Sequence, residues 1–159
     1  MSVNSERPHV FVLPEDDANR QLANGFILAV HNTRQIQALR TAGGWMRVLD
    51  RFQSEHIRAM EANPKSLMVL LIDFDGRKEG LGEAKAVIPG QLIDRVFVLG
   101  VLTEPEDLDG SSFEQIGRAM GEECRDGGDA IWGHELLRHN AGEIDRLRER
   151  IWPILFQTS

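Results

Sequence analysis

The run Leu67-Met68-Val69-Leu70-Leu71-Ile72 constrains this chain more than any other stretch. Apolar residues without alternation suit a strand buried on both faces, and such strands belong to parallel sheets covered by helices on either side. The run gives way to Asp73-Phe74-Asp75-Gly76, so a charged turn leaves the sheet at the strand's carboxyl end. Two other segments repeat the arrangement. His9-Val10-Phe11-Val12-Leu13, closed by Pro14, runs into Glu15-Asp16-Asp17, and a strand over 95–102 runs into Thr103-Glu104-Pro105-Glu106-Asp107.

Helical patterns separate these strands. Over 17–30, Leu22, Phe26, Ile27 and Val30 recur at helical spacing behind Asp16 or Asp17 as N-cap. Residues 35–40 read as a second, weaker strand, ended by Thr41-Ala42-Gly43-Gly44. Over 45–62, Trp45, Val48, Leu49, Phe52, Ile57 and Met60 form an apolar helix face that Pro64 stops. A short helix is expected over 83–88 and another over 112–124, capped by Ser111 or Ser112. After Asp126-Gly127-Gly128-Asp129 come two short helices, over 131–138 and 142–152, and Ile154-Leu155-Phe156 docks the tail.

The alternation predicts an α/β fold: a three-layer sandwich with a mostly parallel four-stranded sheet, helices on both faces and extra C-terminal helices. A length of 159 residues fits one domain, with 9–103 as its core and 104–159 as a C-terminal helical part.

Composition narrows the functional classes. The net charge of −7 argues against indiscriminate duplex binding, where phosphate neutralisation dominates affinity. No apolar run approaches the roughly 18 residues of a membrane span, and no membrane partner is expected. Met1 to Pro8 is too polar for a secretory signal, and the lone Cys124 cannot form an internal disulfide, so a cytoplasmic location is the default expectation. Neither a phosphate-binding Gly-rich loop with Lys-Ser/Thr nor a dinucleotide fingerprint occurs, so ATP and dinucleotides are not indicated.

Ligands of parallel α/β sheets bind outside the carboxyl ends of the strands, where these acidic segments converge. Like charges at close range need compensation, and for oxygen-only ligands the natural one is a hard divalent cation, Mg²⁺ or Mn²⁺. Asp73 and Asp75, two apart, can reach one ion if the chain turns at Phe74. The plain alternative is that Asp16 or Asp17 only caps a helix and Asp75-Gly76 only makes a turn.

A glutamate just after the first strand and an Asp-x-Asp ending the third resemble TOPRIM domains, the metal-dependent phosphodiester-transfer modules of topoisomerases, primases and OLD-family nucleases. The resemblance covers roughly residues 9–103. It implies that Glu15 is a general acid/base or metal ligand, and that Asp73 and Asp75 are metal ligands. In that family a glycine commonly follows the glutamate, where Asp16 stands here. The same residues also resemble phosphoacceptor receiver domains: Glu15-Asp16-Asp17 the acidic pair, Asp73 the phosphorylated aspartate, Thr103 the switch hydroxyl. A receiver needs a lysine after a fifth strand, and no lysine follows Lys85. Leu70 to Gly76 further resembles the nucleophile motif of haloacid-dehalogenase phosphatases, which need a late lysine too.

The expected activity is therefore Mg²⁺-dependent phosphodiester hydrolysis or transfer, with nucleic acid as the expected substrate. Glu15, Asp73 and Asp75 are its catalytic and metal-binding residues, and Arg20, Asp17 and Thr103 its substrate contacts. The alternatives are a receiver-like phosphoacceptor, or a TOPRIM-like module without activity that binds a protein partner or a second copy of itself. Arg40, Arg47, Arg51 and Arg58 read either as a local phosphate-tracking strip or as an ordinary solvated face, since Asp50, Glu55 and Glu61 interleave. His134-Glu135-Leu136-Leu137-Arg138-His139 has its two histidines five apart, where a zincin needs four. Trp45, Trp132 and Trp152 are expected as core or interface anchors, and Cys124 as buried packing.

Overall fold

The computed structural model describes residues 7–77, 79–108 and 111–158. The apolar runs form strands β1 (His9–Pro14), β2 (Ile36–Ala38), β3 (Ser66–Leu71) and β4 (Val96–Leu99). All pairings are parallel, in the order β2-β1-β3-β4. From β1 the chain moves one way to β2, and from β3 it moves the other way to β4. The switch point of the sheet therefore lies between β1 and β3, where ligands of doubly wound sheets bind.

Helices fill both faces, as right-handed crossovers on a sheet that winds both ways require. On one side, Val10, Val12, Leu67 and Val69 pack under α1 (Asp17–Leu28), α5 (Phe113–Asp126) and α6 (Ala141–Ile151). On the other, Leu13, Met68, Leu70 and Ile72 pack under α2 (Trp45–Arg51), α3 (Ile57–Ala62) and α4 (Gly80–Ala86). The helix expected over 45–62 is continuous but passes through a π turn at Phe52–His56 between α2 and α3. α1 and α5 pack so closely that a Cβ at Gly25 or Gly117 would strike the backbone of the facing helix, at Glu114 and Leu22. An apolar cavity of about 50 Å³ remains in this layer, lined by Leu22, Met120 and Trp132 among others, with almost no polar surface.

The C-terminal part departs from expectation in one element and explains another. Residues 131–138 do not form a helix; they make turns leading to a 3₁₀ turn at Arg138–Asn140. That irregular path lets side chains of the 3₁₀ turn and of α6 substitute for a fifth strand along the open edge of β4. Glu143 Oε2 accepts from Val98 N (2.9 Å), and Asn140 exchanges two bonds with the Gly100 backbone (3.2 and 2.9 Å). Arg146 donates to the carbonyls of Ile93 and Val96. An edge of unpaired backbone groups would otherwise be open to another strand.

The tail packs as expected, with Leu155 and Phe156 buried, and Cys124 and Trp132 are core residues. Trp152 instead lies 42% exposed, its Nε1 donating to Arg125 O. Among the described residues no helix is long and apolar enough to cross a membrane.

Candidate metal centre

The ladder between β1 and β3 runs one step past the strands, since Glu15 N donates to Leu71 O (2.9 Å). This fixes Glu15 beside the end of β3, and its Oε1 accepts from Asp73 N (2.9 Å). Next in the chain, Asp16 is the N-cap of α1: its Oδ1 accepts from the backbone N–H of Asn19 (3.0 Å). The Asn19 side chain, fully buried, then ties the two segments together. Its Nδ2 donates to Asp16 Oδ1 (3.0 Å) and to Asp73 Oδ1 (2.8 Å).

The result is a three-carboxylate cluster of Glu15, Asp16 and Asp73, with one oxygen of each within 4.8 Å of the others. Each carboxylate is pinned through one oxygen by an N–H donor. The second oxygen of each accepts no hydrogen bond among the described residues. Pinning one oxygen and leaving the other open is what a preorganised ligand set requires.

The electrostatics are those of an uncompensated site. Burial raises the Glu15 carboxyl to about 7, helped by the charges of Asp16 and Asp75 and opposed by the Asp73 N–H bond and by Arg77. Burial likewise raises Asp73 to about 7, against the Asn19 hydrogen bond and with the charges of Glu15, Asp16 and Asp75. Asp73 is only 4% exposed. Among the described residues no cation forms an ion pair with Glu15, Asp16 or Asp73.

The donor set fits a hard cation. It is all oxygen, and Mg²⁺ holds oxygens at about 2.1 Å, which sets neighbouring ligands about 3 Å apart. One oxygen of each carboxylate already lies within 4.8 Å of the others. Histidine and thiolate donors, which zinc favours, do not enter the cluster. His134 is occupied in its own turn, its Nδ1 accepting from Leu136 N, and His139 packs edge-on against Phe74.

Asp75, expected as a ligand, stands apart from this cluster. It occupies a left-handed turn (φ 52°) and is exposed, acting on Glu15 and Asp73 through charge alone. Asp16 takes the third position instead. The capping signal found Asp16, but not its second use, and Asn19 carries no motif by which sequence would flag it. Phe74 drives the turn by burying itself beside Gly80 and His139.

The expected substrate contacts scatter around the rim. Arg20 is exposed on the first turn of α1, and Asp17, also exposed, accepts from Gln21 (2.6 Å). Thr103 accepts from Asp75 N through its carbonyl, and its Oγ1 is buried without a partner. The expected basic strip is broken: Arg51 is spent on the carbonyls of Arg40 and Thr41, leaving Arg47 and Arg58 exposed.

No protein-family model matches the chain, and comparison with curated proteins and with solved structures finds no match.

Proposed function

We propose that this protein performs Mg²⁺- or Mn²⁺-dependent hydrolysis or transfer at a phosphodiester, in the manner of TOPRIM domains, with nucleic acid as substrate. The observation that carries the reading is the meeting of Glu15, Asp16 and Asp73 at the switch point of the sheet, each with one oxygen pinned and one open. A bound ion supplies Lewis acidity toward a phosphoryl oxygen. Asp16 and Asp73 hold it, and Asn19 keeps those two carboxylates at a fixed separation. Glu15, whose carboxyl sits at about 7, can hold or accept a proton near neutral pH, which suits a ligand or a general base for an attacking water. Asp75 tunes the field of the site from its turn. Arg20 faces solvent beside the N-terminus of α1, where phosphate charge is favoured.

A test is nicking of supercoiled plasmid and hydrolysis of a simple phosphodiester with and without Mg²⁺. Metal-dependent cleavage lost in Glu15→Ala and Asp73→Ala supports the reading. Cleavage indifferent to both substitutions overturns it.

One observation favours a second reading, the receiver-like phosphoacceptor. The order β2-β1-β3-β4 matches the first four strands of flavodoxin-like sheets, with Asp73 after β3 and Thr103 after β4. Against it, Asp73 is nearly buried under Asn19, and α6 side chains line the edge where a fifth strand would bring its lysine. Acetyl phosphate labelling that vanishes in Asp73→Ala would favour this second reading.

A further inference from the structure

Arg77 follows the Asp75-Gly76 turn at the end of β3, and its guanidinium carbon lies 3.9 Å from the centroid of the Trp45 ring. Trp45 opens α2, just after the loop whose Gly43 N donates to Glu15 O (2.8 Å). Because β1 lies between β2 and β3, the contact between Trp45 and Arg77 crosses the carboxyl end of β1 on the Glu15 side of the crevice. Arg77 is close enough for its charge to act on Glu15, yet pairs with none of the clustered carboxylates. It is held instead by Glu83 of α4, through Nη1 alone (2.9 Å).

The other edge of the guanidinium is idle. Nε and Nη2 are both buried and donate to nothing among the described residues. A desolvated donor without a partner is unfavourable, so such an edge calls for an explanation. Stacking on Trp45 occupies the flat face and leaves the in-plane N–H bonds unsatisfied. Nε and Nη2 form the side-on fork that takes two oxygens of a carboxylate or phosphate in parallel; Arg125 uses the same pair on Asp126.

We propose that the Nε/Nη2 edge of Arg77, aligned by the Trp45 ring and steadied by Glu83, receives two oxygens of the phosphate group on which the carboxylate site acts. The inference rests on the phosphodiester reading above and deepens it by naming the residue that grips the substrate anion. The side chain as a whole is 28% exposed while Nε and Nη2 are buried, so gripping an anion requires the guanidinium to turn on the Trp45 face and expose this edge. Lysine does not replace such a group, because it has neither the fork nor the flat face. The surrounding acidity makes this grip dependent on the cation: without it, Glu15, Asp16 and Asp73 repel the phosphate that Arg77 attracts.

The test uses the full chain, Mn²⁺ and bis(4-nitrophenyl) phosphate as the probe, in wild type, Arg77→Gln and Arg77→Lys. Thermal melting checks the fold of each. Mn²⁺ affinity measured alone should stay within about threefold of wild type in both variants. Probe affinity in saturating Mn²⁺ should fall at least tenfold in Arg77→Gln and at least threefold in Arg77→Lys, with no binding to wild type when Mn²⁺ is withheld. Mn²⁺ binding with probe affinity unchanged in both variants overturns the role of Arg77 and leaves the carboxylate site standing. A wild type that binds no Mn²⁺ overturns the carboxylate reading, and this inference with it.

Discussion

A buried carboxylate against the β4 edge and the carboxylate cluster at the β1/β3 rim are treated in opposite ways by this protein. Glu143, 4% exposed, lies against β4. Burial would raise its carboxyl, but hydrogen bonds from Lys85, Val98 N and Arg146 outweigh burial and hold it below the usual range. Lys85 Nζ is 2.6 Å away and Arg146 Nη2 2.9 Å away, so every lone pair has a donor. At the switch point Asp73 is buried and Glu15 half-buried, with amide donors only, and both carboxyls rise to about 7. The same chain neutralises a structural carboxylate thoroughly and, among the described residues, leaves a cluster of them without an ion-paired cation. That contrast, more than the cluster itself, is the physical argument for a metal at the β1/β3 rim.

The contrast can be broken at either end. The largest effect belongs to Glu143→Ala, which strips Val98 N of its acceptor and leaves Lys85 and Arg146 half-buried without their partner. Loss of a buried ion pair's member costs about 3–5 kcal/mol, read as a drop in the urea midpoint at constant slope. At the rim the sign reverses. Asp73→Asn should stabilise the metal-free protein by about 2 kcal/mol at pH 8, since it removes the cost of holding that carboxylate charged. The same substitution should abolish the rise in melting temperature that Mg²⁺ or Mn²⁺ gives the wild type.

The pH dependence follows from the same directions. Glu15 and Asp73 have folded values raised to about 7 from 4.5 and 3.8, so the folded state binds more protons than the unfolded chain between those limits. Their contribution is fully present below about pH 4 and is lost as pH rises through 7. Glu143, held low, contributes above its ordinary value and loses that contribution as pH falls. Metal-free wild type should therefore weaken from pH 5 to 8 in urea melts, and saturating Mn²⁺ should flatten the decline. The smallest effect is that of Asp75→Asn, which acts on the cluster through charge. It should lower Mn²⁺ affinity by no more than about threefold, whereas Asp16→Asn should cost tenfold or more. Equal losses in a calorimetric titration would return Asp75 to the ligand set.

The fold was legible because its strands are apolar runs bounded by charged turns, and such a run has few places to go except the middle of a covered sheet. The convergence of Glu15 and Asp73 followed from parallel pairing, which sends both strand ends to one rim. Asp75 was less legible, because spacing along a strand says nothing of the left-handed turn that sets this carboxylate outside the Glu15, Asp16 and Asp73 cluster. Residues 131–138 read as a helix, yet their backbone is bonded elsewhere: Ile131 N and Trp132 N donate to the Glu123 carboxylate, and Leu136 O accepts from Leu102 N. Asn19 was invisible for a similar reason: its bond to Asp73 spans 54 residues of sequence and exists only once α1 is laid over β3.

The most direct test is a crystal soaked in Mn²⁺ and measured for anomalous scattering. The account predicts one strong peak bonded to open oxygens of Glu15, Asp16 and Asp73 at about 2.2 Å, with Asn19 still bridging the two aspartates. Ordered carboxylates with no peak between them, or an arginine turned in to neutralise them, would contradict it.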